Sequence, residues 1–279
     1  MIKSIVVAID SSDSSKCAQA FAIGLAKQHR AELTGIAVLD RPWVTRPMAT
    51  PIGGGHYKDH RDEKLLADHR HTLDALVTAF RETCEREGVP VRAMEVEGVP
   101  AEQIDHEADR HDLIVIGRDT NFHGVNGHDI GDVVEQLLRD NPRPIIVVPP
   151  EKPTDAKGVV VAFDGSLQAS RAMQMFHLLG LRGNRRVNIL SFDNDDDKAE
   201  AIAGRGAAFF ESHNIDVMAH GLQAGGGTAQ AILTAIESLG AGMLVMGAFG
   251  PHSLMHQLMA GSTTKQLIRA CPVPVFVHH

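Results

Sequence analysis

A long internal repeat constrains the fold of this chain more than any other feature of its sequence. Residues 5–10 (Ile-Val-Val-Ala-Ile-Asp) match residues 159–164 (Val-Val-Val-Ala-Phe-Asp), and residues 113–148 match residues 243–278 without a gap. Self-similarity of this kind indicates two copies of one structural unit. We therefore predict two domains joined by a short proline-rich linker: residues 1–150 and residues 154–279.

The first copy is longer than the second. The offset between the copies is 154 at the first strand and 130 after residue 112, so the first copy holds about 24 additional residues. They lie within residues 41–63, where Pro, Gly and His are abundant, and we predict a surface excursion there. A histidine-rich cluster begins in this segment: His56, Asp59, His60, His69 and His71. These groups suit zinc, but solvated side chains on a polar segment explain the cluster more simply, and we assign no metal ligand.

Short apolar runs alternate with amphipathic windows in both copies. Runs such as residues 113–117 (Leu-Ile-Val-Ile-Gly) are apolar on both faces, which is typical of parallel strands covered by helices on two sides. We predict a flavodoxin-like α/β fold in which each domain is a doubly wound, five-stranded parallel sheet. The predicted strands lie near 4–10, 32–39, 91–96, 112–117 and 144–148, and near 158–164, 186–192, 216–221, 242–247 and 274–278. The predicted helices lie near 13–29, 61–87, 100–110 and 129–140, and near 166–181, 196–214, 228–239 and 261–270.

The charge balance argues against nucleic acid as a partner. The chain has 27 Lys and Arg against 35 Asp and Glu, a net charge of −8, with no large basic cluster. No apolar run reaches the roughly 18 residues of a membrane helix, and the N-terminus does not resemble a signal peptide, so we expect no membrane. Three cysteines without a close pair fit a reducing compartment, and we expect a cytoplasmic protein.

The second copy carries a candidate phosphate cradle. Ligands of doubly wound sheets lie beyond the carboxyl ends of the strands. After the fourth strand come Gly247 and Gly250, which allow close backbone approach, and then Gly261 at the start of a helix whose N-terminus favours anions. The helix opens with three hydroxyl donors: Ser262, Thr263 and Thr264. Asp164, after the first strand, is placed to accept a ribose hydroxyl. Ordinary turn and N-cap chemistry also explains these residues, so spacing alone leaves both interpretations open.

These residues resemble the universal stress protein family of the UspA type, and the resemblance covers nearly the whole chain twice. Nucleotide-binding members share an Asp after the first strand and, after the fourth, Gly, two residues, Gly, nine residues and Gly-Ser/Thr. Gly247, Gly250, Gly261 and Ser262 match, although ten residues separate the second and third glycines here. The resemblance implies a fold like the adenine-nucleotide α-hydrolases and a stress-response regulator that binds ATP or AMP, with or without Mg²⁺.

The resemblance also implies a role for each site residue of the second copy. Ala162, Phe163 and Asp164 would flank adenine and ribose, and Phe192 would offer backbone polar groups to the adenine edge. The ribose and phosphates would be lined by Met246, Gly247 and Gly250. The phosphate tail would be held by Gly261, Ser262, Thr263 and Thr264.

The first copy departs from this motif. Thr120 and Asp132 stand at the positions of Gly250 and Ser262. A carboxylate at a phosphate position repels the ligand, and Thr120 hinders close backbone approach. We therefore expect the first domain to be free of nucleotide and to be structural or to bind another ligand.

Two other functions remain open from the sequence. The protein could act as a nucleotide-independent scaffold for an unknown protein partner. An adenylyl-transfer enzyme is disfavoured, because His123-Gly-Val-Asn-Gly-His128 follows the fourth strand whereas the histidine motif of related transferases belongs after the first. We assign no catalytic residue and expect at most slow ATP hydrolysis. Family dimers pair their last strands, which implies an intramolecular pseudo-dimer joining 144–148 to 274–278, with a further homodimer left open.

Overall fold

The computed structural model of the chain describes most of its length. The described residues are 1–46, 55–123, 130–151, 158–223, 227–248 and 263–279. They form two compact units: Lys3–Leu137, and Leu138–His279 together with Met1–Ile2. Within these ranges, no helix is both long enough and apolar enough to cross a membrane.

The first unit contains four parallel strands in the order β3-β2-β1-β4. β4 is buried along its whole length, as the apolar run at 113–117 predicts. The strands are β1 (Ser4–Ala8), β2 (Glu32–Leu39), β3 (Val91–Glu97) and β4 (Leu113–Gly117). The helices are α1 (Asp13–His29), α2 (Arg41–Val44), α3 (Gly55–Arg86) and α4 (Pro100–Ala108). Helix α5 (Asp132–Asp140) spans the boundary between the two units.

The second unit contains six strands in the order β5-β10-β9-β6-β7-β8. All neighbours are parallel except β5 and β10. The strands are β5 (Ile145–Val148), β6 (Gly158–Ala162), β7 (Arg186–Phe192), β8 (Val217–Leu222), β9 (Ala241–Gly247) and β10 (Val275–His278). The helices are α6 (Leu167–Leu178), α7 (Asp196–Ser212), α8 (Thr228–Ser238) and α9 (Thr263–Ala270). The second copy therefore forms the predicted five-stranded parallel sheet, with β6 to β10 ordered 8-7-6-9-10.

The predicted pairing of the last strands is confirmed. β5 and β10 run antiparallel, with Val147 opposite Val275 and Ile145 opposite Val277. Because these two strands pair, β5 belongs by its contacts to the unit of residues 138–279. Each strand thereby covers an edge of the other that would otherwise expose unpaired backbone groups.

The segment predicted as a surface excursion is largely helical where it is described. α2 occupies Arg41–Val44, and α3 begins at Gly55, earlier than the predicted start near residue 61. After Gly55 the sequence has no Pro or Gly until residue 88, and Lys58 and Asp62 form an i,i+4 ion pair of 3.0 Å. α3 therefore reaches 32 residues, against 17 for its counterpart α7.

A pair of histidines in the second unit makes its stability depend on pH. The His177 ring lies 4.2 Å from the His213 ring, and the pKa of His177 is below 6.5 because of burial and the nearby charges of His213 and Arg182. A lowered histidine pKa stabilises the fold above pH 6.5, and this contribution is lost as the pH falls through the lowered value.

We expect the unfolding free energy to fall between pH 7.5 and 5.5, and to fall less in His177→Gln. Denaturant titrations at both pH values measure this, and an unchanged difference in the variant would contradict it.

Candidate functional site

The carboxyl end of β6 presents an accessible carboxylate. Asp164 is exposed, and its Oδ1 accepts a hydrogen bond of 2.9 Å from the Ser166 backbone N–H. Among the described residues nothing donates to its Oδ2. Gly165 follows with φ of 76°, a left-handed conformation that suits glycine and turns the chain into α6. Within the described ranges, one carboxylate oxygen of Asp164 is therefore left without a hydrogen-bond donor.

Phe163 lies directly after β6, and Phe192 is the last residue of β7. The Phe163 ring is only 5% exposed and packs against α7, where an added Cβ at Gly206 would lie 2.9 Å from it. The Ser191 hydroxyl donates to the Phe163 carbonyl at 2.5 Å and ties β6 to β7. Phe192 is half-buried at the end of β7 and stands opposite Leu222 of β8. The Phe163 ring thus belongs to the core and leaves only backbone atoms to contact adenine.

Gly247 lies where the N-terminus of α6 approaches the sheet. A Cβ at this position would lie 2.5 Å from the Ala169 nitrogen and 2.6 Å from the Gln168 carbonyl carbon. Gly117 in the first unit has the same environment, with the Ser14 and Ser15 backbone at 2.5 Å. Helix packing therefore requires a glycine here, a role that the phosphate interpretation missed. The recurrence of this glycine in the copy that has Thr120 and Asp132 in place of Gly250 and Ser262 is the sequence signal for it.

The structure brings part of the predicted site together. Ala162 pairs with Met246, and Gly247 is the last residue of the same β9 strand, so these positions share the carboxyl edge of the sheet with Asp164. Thr263 and Thr264 begin α9, as predicted, with Thr263 exposed. The remaining three predicted residues lie outside the described residues: Gly250, Gly261 and Ser262.

The equivalent aspartate of the first unit has its hydrogen-bonding capacity filled. Asp10 is 4% exposed. Its Oδ1 accepts from the Ser12 backbone N–H at 3.1 Å and from the Ser12 hydroxyl at 2.6 Å. Its Oδ2 accepts from the backbone N–H groups of Asn121 at 2.9 Å and Phe122 at 3.3 Å. Asp10 therefore fastens the end of β1 to the segment after β4 and has no oxygen left for a ribose.

The start of α5 is likewise occupied by the chain itself. The Gly131 backbone N–H donates to the Arg118 carbonyl at 3.0 Å, and a Cβ at Gly131 would lie 2.0 Å from the Thr120 carbonyl oxygen. Asp132 is the first residue of the helix and is exposed. A phosphate at a helix start needs free N–H groups and no negative charge beside them. Here the Gly131 N–H is already bonded and Asp132 is negatively charged, so both features oppose a phosphate.

A cleft of about 450 Å³ nevertheless opens at this edge of the first unit. The strand ends contribute Asp10, Ser11, Phe122 and His123. One face of α3 contributes Leu65, Asp68, His69, Thr72, Leu73 and Leu76. Sequence reasoning missed this cleft. The only signal was the histidine-rich segment, which we had interpreted as solvated, and in the described ranges no three His, Cys, Asp or Glu side chains could hold a metal ion.

Comparison with known proteins identifies the family. The profile of the Universal stress protein family matches residues 1–149 and 156–279. Universal stress protein Slr1230 of Synechocystis sp. is 25% identical over 98% of this chain and 99% of its own. Universal stress protein MJ0531 of Methanocaldococcus jannaschii is 31% identical over 53% of this chain and 82% of its own.

A solved structure shows the same fold. The crystal structure of a universal stress protein from Archaeoglobus fulgidus DSM 4304 superposes with a TM-score of 0.73 at 22% identity. The superposition covers 99% of this chain and 97% of that one. With both halves matched by one family profile and the fold shared over the full length, the chain belongs to the universal stress protein family and consists of two tandem domains of that family.

Proposed function

We propose that this stress-response protein binds an adenine nucleotide, ATP or AMP, in its second domain, with or without Mg²⁺ on the phosphates. The residue pattern of nucleotide-binding family members supports this, because Gly247, Gly250, Gly261 and Ser262 match its residue types with one additional residue between the second and third glycines. The observation that carries the proposal is the contrast between two aspartates: within the described ranges Asp164 Oδ2 receives no hydrogen bond, whereas each carboxylate oxygen of Asp10 accepts two.

The charge at the two helix starts points the same way. The first turn of α9 contains no acidic residue, whereas the first turn of α5 contains Asp132 and Glu135. A helix N-terminus attracts anions through its free N–H groups and dipole, and nearby carboxylates oppose that attraction. The second domain is thus the better of the two for a phosphate tail.

Removing the Asp164 carboxylate tests the ribose contact. We expect saturating ATP or AMP to raise the melting temperature of the wild-type chain, since ligand at 100 times its Kd stabilises by about 2.7 kcal/mol. Asp164→Ala should weaken the nucleotide about tenfold, the loss expected for one hydrogen bond to a charged group. Titration calorimetry measures both affinities.

Asp216→Ala is the matched control. Asp216 is an exposed aspartate of the same unit and precedes β8, so it lies at the amino end of a parallel strand, away from the site. The control should bind nucleotide like the wild type. If neither ATP nor AMP at millimolar concentration shifts the melting temperature, and the purified protein releases no nucleotide on denaturation, the proposal is wrong and a nucleotide-independent scaffold replaces it.

A further inference from the structure

We propose that the first unit holds a second ligand site, and that the cleft between α3 and the ends of β1 and β4 takes a small organic cation. The ligand class is a protonated amine on an apolar body. This site is independent of the nucleotide site proposed above, because every residue lining it belongs to the unit of residues 3–137.

The extra length of α3 builds one wall of the cleft. Counted back from the helix ends, the first 15 residues of α3 (55–69) have no counterpart in α7. Leu65, Asp68 and His69 come from this part of the helix. The cleft volume of about 450 Å³ lies within the range of roughly 300–1,000 Å³ that small-molecule sites occupy. The additional turns of α3 therefore contribute to a wall of a cleft of ligand-binding dimensions in the domain that departs from the nucleotide motif.

The polar groups of the cleft are mostly acceptors. The Asp68 carboxylate is exposed and has no partner among the described residues. His123 Nε2 lies 2.9 Å from Asp40 Oδ2 and donates this hydrogen bond because a carboxylate only accepts, and in the tautomer protonated at Nε2 alone Nδ1 is an acceptor. No described residue donates to that Nδ1. A ligand that brings hydrogen-bond donors fits these groups.

The orientation of His123 is fixed before any ligand arrives. Its ring stacks on Trp43, with centroids 4.3 Å apart and planes 10° from parallel. Asp40 also accepts from the Trp43 backbone N–H at 3.0 Å, so one carboxylate holds both the Trp43 backbone and the His123 imidazole. A preorganised acceptor costs less conformational entropy on binding than a mobile one.

The charge of the cleft selects a cation. Among the described residues, those that line it include two carboxylates, Asp10 and Asp68, and neither Lys nor Arg. Arg46 lies against the Trp43 ring at 4.8 Å and is not part of the lining. A phosphate would meet uncompensated negative charge, whereas an ammonium group gains from it. The apolar body of the ligand would contact Leu65, Leu73, Leu76 and Phe122.

Binding of 2-phenylethylamine to the full chain tests the proposal, with 2-phenylethanol as the neutral analogue of the same shape. A ligand of about nine non-hydrogen atoms with good contacts reaches a Kd on the order of 1 mM. Trp43 is the single tryptophan of the chain and stacks on a residue of the cleft, so its fluorescence, excited selectively, reports binding. We expect a saturable change with the amine, and at least tenfold weaker binding of the alcohol.

Two variants of α3 locate the site. Asp68→Asn should weaken the amine at least tenfold, whereas Glu63→Gln, which removes the same charge from an exposed position outside the lining, should leave its Kd unchanged. Both positions are on the helix surface, and circular dichroism melting checks the fold of each variant. The proposal is overturned if the amine gives no saturable change up to about ten times the expected Kd. It is also overturned if amine and alcohol bind alike, or if Asp68→Asn binds as the wild type does. ATP should leave the amine Kd unchanged, and competition between them would show that the two sites coincide.

Discussion

Asp10→Ala is expected to lower the free energy of unfolding of the first unit by about 3 kcal/mol, while Asp164→Ala lowers that of the second by less than about 0.5 kcal/mol. The two residues occupy the same position of the repeat. Asp10 is 4% exposed and accepts four hydrogen bonds, three of them from backbone N–H groups that would lose this acceptor on its removal. Asp164 is exposed and accepts one hydrogen bond from the part of the chain that the structure describes.

Chemical denaturation with two probes measures these changes. Trp43 fluorescence follows the first unit, in which the only tryptophan lies, and far-ultraviolet circular dichroism follows the whole chain. The Asp10→Ala transition should move to lower denaturant in the fluorescence signal, and the Asp164→Ala protein should unfold close to the wild type. Equal losses in the two variants would contradict the assignment of a structural role to one aspartate and an open acceptor to the other.

The comparison of Asp10 with Asp164 shows which property of the site could not be predicted from the sequence. Both aspartates follow an apolar strand, and the ligand contact at Asp164 was predicted from that position and from the family resemblance. The partners that occupy Asp10 Oδ2 are backbone groups 111 and 112 residues away, in a segment whose conformation no local propensity dictates. The repeat predicts where an aspartate stands at the end of a strand. Whether its carboxylate oxygens already accept hydrogen bonds from the chain depends on such distant contacts.

The regular elements were more accessible to prediction. Apolar runs bounded by turn residues predicted every strand of the structure to within about two residues, because strands buried on both faces leave a strong apolar signal. The insertion was predicted less well. Its Pro and Gly content indicated a loop, whereas the helical signal after Gly55 is polar, and a helix of that kind lacks the apolar periodicity by which it is found. The cleft against α3 was missed for the same reason.

Gly247→Ala is expected to destabilise the second unit by about 3 kcal/mol, at the upper end of the usual cost of overpacking. The added methyl would lie 2.5 Å from the Ala169 nitrogen, and the opposing atoms are backbone, which cannot rotate away as a side chain can. α6 would have to move off the sheet, and the buried contacts of Ala169, Ala172 and Phe176 would move with it.

Gly204→Ala is the matched control for this change. Gly204 lies inside α7 of the same unit, and a Cβ there would meet no atom within 4 Å. Alanine is the better helix former, so this variant should gain about 0.5–1 kcal/mol. The two Gly→Ala changes should therefore shift the denaturation midpoint in opposite directions, and a stabilised or neutral Gly247→Ala would contradict close packing as the role of Gly247.

The outcome also decides how the glycine motif is to be tested. If Gly247 is required for α6 to pack, loss of nucleotide binding in Gly247→Ala would report a displaced helix and not a lost phosphate contact. Gly117 has the same close approach in the domain where we expect no nucleotide, and Gly117→Ala should destabilise the first unit to a similar degree. Equal costs in both domains would assign this motif position to the fold. Asp164, which is exposed and hydrogen-bonded to a single described residue, would then be the position at which nucleotide binding is separable from folding.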